Sequence, residues 1–152
     1  MNKKKRKRGT KMKDPRIEKL AHNLLTYSID LKENDNLLIE VLGEEGMPLA
    51  KELMRQAEQM KARPYFNIVN YELLRIMLEN ATEEQIKLYS KHDTARMKDM
   101  DAYIGIRASS NTSEISNIDS KIMEMYNKYY MIPVHFEERV KRTKWCLSLI
   151  HI

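Results

Sequence analysis

Two hydrophobic periods alternate along the chain. From Leu37 to Leu42 the run Leu-Leu-Ile-Glu-Val-Leu is apolar at all but one position, and it is bounded by the polar turns Lys32-Glu33-Asn34-Asp35 and Gly43-Glu44-Glu45-Gly46. Such a run between turn formers, followed by a helix opening at Met47-Pro48-Leu49, predicts a parallel strand covered on both faces. Ahead of it, Asp14 as N-cap and Pro15 at the first helical position open a helix. Ile17, Leu20, Ala21, Leu24, Leu25, Ser28 and Leu31 extend it at helical spacing to about Leu31.

The alternation continues. Leu49, Ala50, Leu53, Met54, Ala57 and Met60 form a second helical stripe, ending near Lys61, in which Met fills core gaps. Residues 64–69, Pro-Tyr-Phe-Asn-Ile-Val, read as a second strand, and residues 71–80 as a short helix. Thr82-Glu83-Glu84-Gln85 is a capping box that opens a helix reaching about Met97. Residues 101–107, Asp-Ala-Tyr-Ile-Gly-Ile-Arg, are a third strand in which Gly105 permits close approach of a neighbour. Ile118, Ile122, Met125, Tyr129, Ile132, Phe136 and Val140 suggest one long helix bent at Pro133. Thr143-Lys144-Trp145-Cys146 starts a fourth strand that is left unfinished. Strands alternating with helices imply an α/β fold. Its sheet is open and mostly parallel with helices on both faces, Rossmann-like or flavodoxin-like, and incomplete at the C-terminus.

Composition changes this picture at the two ends. At 152 residues one domain is expected, burying roughly 70% of its unfolded surface. The formal charge of +5 comes from a tail: seven of the 27 Lys and Arg lie in residues 1–11. Without them 20 basic residues face 22 acidic ones, a net of −2. Lys3-Lys4-Lys5-Arg6-Lys7-Arg8 matches a nuclear-localisation or polyanion-binding patch. Lys, Arg and Gly also have all-purine codons, as a bacterial ribosome-binding site does, so residues 1–11 read as a basic leader that is not native or is disordered, with Met12 as initiator. At the other end Leu147-Ser148-Leu149-Ile150-His151-Ile152 back-translates as CTG TCT CTT ATA CAC ATC, a string like the transposon mosaic end used in sequencing libraries. On that reading the domain is 12–146, residues 147–152 are an adapter-encoded artefact, and His151 is set aside as a ligand or base. A single cysteine, Cys146, gives no internal disulfide, so the cytoplasm is expected. No segment has signal-peptide or membrane-span character.

Catalytic, cofactor-binding and metal-binding residues are all expected to be absent from this chain. His135-Phe136-Glu137-Glu138 lacks the H-E-x-x-H register and reads as a solvated helix face. His92-Asp93 is placed at a helix end, and His22 on a helix surface. Glu40, inside the buried-looking strand, is the most interesting carboxylate, because a buried charge needs a partner or a sheet edge. Gly43-x-x-Gly46 has a phosphate-turn outline but not a dinucleotide fingerprint, and its two acidic residues would repel phosphate. Cys146 reads as a small buried residue. The loop Ala108-Ser109-Ser110-Asn111-Thr112-Ser113 leaves the carboxyl end of a strand, where open α/β sheets bind ligands, and is otherwise a solvated turn.

Residues 14–146 resemble the N-terminal domain of the thermophilic metalloaminopeptidases, the family of aminopeptidase T and aminopeptidase S. The resemblance rests on Asp14-Pro15-Arg16-Ile17-Glu18-Lys19-Leu20-Ala21, on Lys32-Glu33-Asn34-Asp35-Asn36-Leu37-Leu38-Ile39, on Tyr103-Ile104-Gly105-Ile106-Arg107-Ala108, and on Glu137-Glu138-Arg139-Val140-Lys141-Arg142-Thr143-Lys144-Trp145-Cys146. In the family this last segment runs into an Arg-Tyr-Pro motif that is missing here. The resemblance implies a cytoplasmic, dimeric exopeptidase that removes N-terminal residues from peptides with two divalent metal ions of the zinc, cobalt or magnesium class. Such ions polarise the scissile carbonyl and generate a hydroxide. The family's Glu, His, Asp and Tyr ligands lie in its C-terminal domain and map to no residue here, so the chain alone is expected to bind no metal and to be inactive. Two rival readings are a non-catalytic α/β binding module, such as a receiver or nucleotide-binding domain, and a nucleic-acid binder using Lys3 to Lys11. A receiver needs an acidic cluster and a strand lysine that the chain does not offer. The negative balance beyond residue 11 counts against nucleic acid.

Overall fold

The computed structural model describes residues 14–108 and 115–150. Four parallel strands, β1 (Asn36–Leu42), β2 (Arg63–Val69), β3 (Ala102–Ala108) and β4 (Lys144–Ile150), form one sheet in the order β2-β1-β3-β4. This is the open α/β sheet expected from the alternating pattern. The helices are α1 (Pro15–Asn23), α2 (Met47–Gln59), α3 (Tyr71–Glu79), α4 (Glu83–Lys98) and α5 (Ser120–Tyr126). A π-helical turn (Leu24–Ser28) prolongs α1, and a longer π-helical stretch (Asn127–Val140) prolongs α5. Among the described residues no helix is long and apolar enough to cross a membrane.

Local chemistry starts the helices where the sequence says it should. Asp14 accepts from the Arg16 N–H at 2.9 Å, and Thr82 accepts from the Gln85 N–H at 3.2 Å. Asn70 caps α3 by accepting from the Leu73 N–H at 2.9 Å. Each cap satisfies a donor that the first helical turn leaves unpaired.

β1 is central, paired with β2 on one side and β3 on the other, and its five inner residues are buried. Its alternate side chains feed two cores. Leu37, Ile39 and Val41 pack with Ala102, Ile104 and Ile106 against α1 and α2, through Ala21, Leu25, Leu49 and Leu53. Leu38 and Tyr103 pack on the opposite face with Leu74, Leu78, Ile86, Met97 and Val134 of α3, α4 and α5. The amino ends of the strands are stitched together: Asn36 N–H donates to the Asp101 carboxylate at 2.8 Å, and Lys144 Nζ reaches the Asp35 carboxylate at 2.7 Å.

Three expectations need correcting. The first helix does not run regularly to Leu31, because the π-helical turn at 24–28 widens it and the chain reverses at Asp30, with φ 45°. β4 is not cut short at Cys146: it pairs with β3 through Ile150, with Gly105 opposite Leu147 and Ala108 opposite Ile150. The last helix buries a different stripe from the one expected. Tyr126, Tyr130, Val134, His135 and Arg139 face inward, while Ile132 and Phe136 are exposed. Its i→i+5 bonding, in a stretch containing Pro133, makes each turn wider, so the inward face recurs every four to five residues.

Candidate functional site

Glu40 sits in the middle of the central strand and points to the face covered by α3, α4 and α5. In register it lies between Asn67 on β2 and Gly105 on β3. Asn67 Nδ2 donates to Oε2 at 2.9 Å, and the Tyr103 hydroxyl donates to Oε1 at 2.9 Å. Arg139, from the π-helical end of α5, donates from a terminal guanidinium nitrogen to Oε2 at 3.1 Å. Both members of the ion pair are almost fully enclosed, Glu40 at 3% and Arg139 at 3% exposure. The Arg139 guanidinium also lies 4.6 Å from the centre of the Tyr103 ring, a cation–π contact that adds to the pair. With both oxygens bonded by these donors, Glu40 ties β1 to β2, β3 and the last helix.

Gly105 makes room for this arrangement. A Cβ there would stand 2.7 Å from Leu147 Cδ2 and 3.0 Å from the Tyr103 hydroxyl oxygen. The close approach expected of a neighbouring element at this glycine is that of Leu147 on β4, and the space left also lets the Tyr103 hydroxyl reach Glu40.

A belt of tyrosines surrounds the pair. Tyr130 stacks on Tyr89 and on Tyr126, each at 5.0 Å between ring centres, and its hydroxyl donates to the Asp93 carboxylate at 2.5 Å. Burial raises the Tyr103, Tyr126 and Tyr130 hydroxyls above the ordinary tyrosine value, so all three stay protonated donors. Burial also works against the charge on Arg139, but Glu40, with Tyr103 and Tyr130, outweighs it and holds the guanidinium above its usual value. His135 is pushed the other way, to about 4, by burial and by the positive charges of Arg139 and Arg107. Its imidazole is neutral at pH 7.

Two openings lie at the carboxyl edge of the sheet. One is a cleft of about 280 Å³ between the ends of β1 and β2, lined by Gly43, Glu44, Glu45, Asn70 and Glu72 among others. Its acidic rim agrees with the expectation that this turn repels phosphate. Gly43 has a φ of 100°, which only glycine adopts without strain. A Cβ on Gly46 would meet Ile106 Cγ2 at 2.8 Å and Val41 Cγ1 at 2.9 Å, so both glycines serve the turn itself. The other opening is a cavity of about 120 Å³ beside the Glu40–Arg139 pair, reached from the ends of β1, β2 and β3.

The remaining residues singled out in the sequence do not converge. His22 is exposed on α1, as expected. His92 is exposed too, but it lies within α4 rather than at its end, two turns short of Lys98. His135 departs from the solvated reading of its segment: it is buried at 6% exposure, whereas Phe136 and Glu137 face outward. Cys146 is half-buried against the first core, and burial raises its thiol to about 11. Its thiolate is therefore suppressed. Ser109 to Ser113 of the candidate loop, the basic leader and His151 lie outside the described residues. Among the described residues no three His, Cys, Asp or Glu side chains gather as a metal ion would require, so this donor set does not fit a two-metal centre.

Sequence reasoning missed Asn67, Tyr103 and Arg139 as partners of Glu40, and it passed over Arg107. One signal was present: a single carboxylate in a buried strand demands a cation.

The fold has counterparts among known proteins. The family model described as thermophilic metalloprotease (M29) matches residues 13–150. No curated protein sequence matches. Among solved structures, wild-type AmpT from Thermus thermophilus is similar at 16% identity and a TM-score of 0.63, over 88% of this chain and 35% of its own. The chain thus spans about a third of the length of that protein, and at this identity the likeness is one of fold. An open conformation of 2-hydroxyisobutyryl-CoA ligase with 2-HIB-AMP and CoA is matched over 90% of this chain and 28% of its own, at 9% identity and a TM-score of 0.32, too slight a likeness to bear on the fold. With nearly the whole length covered by the family model, the chain belongs to the thermophilic metalloprotease family.

Proposed function

We propose that residues 12–146 are the N-terminal α/β domain of a metal-dependent aminopeptidase, a cytoplasmic homodimer that hydrolyses N-terminal residues from peptides. The observation that carries this reading is the family match over residues 13–150. The fold shared with AmpT supports it, as does the fact that the chain spans 35% of that protein. On this reading the two divalent ions are held by a second domain, and the domain described here shapes the substrate cavity or supports the dimer. The chain alone is then inactive. On this reading residues 1–11 are translated leader and residues 147–152 adapter-encoded, although the family match and β4 both run to residue 150.

Reading the genomic locus past the codon for Cys146 tests the C-terminal end of the proposal, and mass spectrometry of the native N-terminus, where a peptide spanning Arg8 to Lys13 would reject the leader, tests the other. Expression of the longer frame, beside the present chain, then tests the activity. The expected result is chelator-sensitive release of an N-terminal residue from a chromogenic aminoacyl substrate by the longer protein and none by the chain. A frame that stops at Ile152 in genomic DNA would overturn the reading, as would release that survives chelation.

A further inference from the structure

The cavity of about 120 Å³ beside the buried ion pair is lined by Arg107 and Arg139, by Glu40, and by the rings of Tyr89, Tyr126 and Tyr130. We propose that this cavity binds a small oxyanion, a carboxylate or a phosphate, with Arg107 as its principal ligand and Arg139 behind it.

Four observations converge on an anion. The charge of Glu40 is matched by Arg139, whereas Arg107 forms no ion pair among the described residues, so the described lining carries one positive charge in excess. The Nε atoms of both arginines and Nδ1 of His135 are buried without a hydrogen-bond partner, although buried polar groups are nearly always paired. Arg139 is enclosed to the same degree as the carboxylate it holds, so its free Nε–H has no access to bulk solvent. A guanidinium presents its donors as a planar fork that matches a carboxylate or phosphate edge. The cavity also opens at the carboxyl ends of parallel strands, near Leu42, Val69 and Arg107, the edge at which open α/β sheets bind ligands.

Size narrows the class. The cavity is below the usual range for a drug-sized ligand, roughly 300–1,000 Å³, so it takes a small free anion or the charged end of a longer molecule. The rings of Tyr89, Tyr126 and Tyr130 wall it with apolar surface. The proposal is independent of the peptidase reading.

Thermal unfolding of the full chain at pH 7, with acetate or inorganic phosphate at low millimolar concentration against chloride at matched ionic strength, tests the site. A ligand that binds only the folded state raises Tm in a saturable way. The expected result is a rise of several degrees with at least one of the two anions, abolished in Arg107→Gln. That variant keeps the parent's Tm in chloride within a few degrees, because no hydrogen bond of the Arg107 Nε is lost. Acetate acting alone assigns a carboxylate, and phosphate acting alone assigns a phosphate. Equal Tm in all three salts would overturn the proposal, and so would a rise that Arg107→Gln retains. Should Arg107→Gln fail to fold, proton NMR of His135 in the parent chain decides, with inorganic phosphate as the probe because it stays anionic where His135 titrates. Anion binding must raise its pKa relative to chloride, and an unmoved titration rejects the site.

Discussion

On one face of the sheet β1 presents Leu37, Ile39 and Val41 to α1 and α2. On the other it presents Leu38, Glu40 and Leu42 to α3, α4 and α5. The contacts that β1 makes on the first face are apolar, and such contact is roughly proportional to area and indifferent to direction. The second is held at its centre by directed bonds from three elements to one carboxylate. The difference lies in tolerance. An apolar face can repack around a change of volume, whereas a buried charge has one acceptable set of partners.

The largest effect expected from this contrast is the loss of one member of the ion pair. Arg139→Ala leaves Glu40 buried without its cation and should cost about 3–5 kcal/mol in urea unfolding. Replacing both, as Glu40→Leu with Arg139→Met, should cost less than either single change, because the desolvation penalty of both ions disappears together. A double change as costly as the sum of the singles would show that the contrast between the faces is misjudged.

Acid gives the next largest effect. His135 sits at about 4 in the folded chain against an ordinary 6.5, through burial and the charges of Arg139 and Arg107, with Glu40 opposing them. The unfolded chain therefore takes up this proton first as pH falls, so stability is lost between about 6.5 and about 4 and is fully present above that window. His135→Gln should show a smaller drop in the urea midpoint between neutral pH and pH near 4 than the parent does. An equal drop would remove His135 from the account.

Gly105→Ala comes third. Its methyl group would press on Leu147 and on the Tyr103 hydroxyl and should cost about 1–3 kcal/mol by thermal unfolding. On the apolar face Ile39→Val deletes one methylene and should cost about 0.5–1.5 kcal/mol. If Ile39→Val proved the more damaging of the two, the second face would be the more forgiving one.

Most of the fold could be read from the sequence, because its signals are local. The apolar run of β1, the Asp14-Pro15 opening and the Thr82 cap each involve residues within a few positions of one another. The charge cluster could not be read in the same way. Asn67, Tyr103 and Arg139 are 27, 63 and 99 residues from Glu40. Arg139 stands in the run Glu137-Glu138-Arg139-Val140-Lys141-Arg142, where nothing in composition separates a buried arginine from its solvated neighbours. A regular helical period also selects Phe136 and Val140 in place of His135 and Arg139, since it assumes a turn narrower than the one this segment adopts. The partner of Glu40 was foreseeable in kind, as a cation, and not in position.

The 99-residue separation between Glu40 and Arg139 has a consequence for the order of assembly. Closing a loop of that length carries an entropic cost that grows with its logarithm, so the contact is expected to form after β1, β2, β3 and the last helix are in place. Until then the carboxylate projects, uncompensated, from a surface that is otherwise ready to collapse. A one-residue slip of β1 would turn Ile39 or Val41 toward the guanidinium and send Glu40 into the opposite core. The pair thus acts as a late check on register, rewarding only the alignment in which acid and base meet and leaving every neighbouring alignment with two stranded charges.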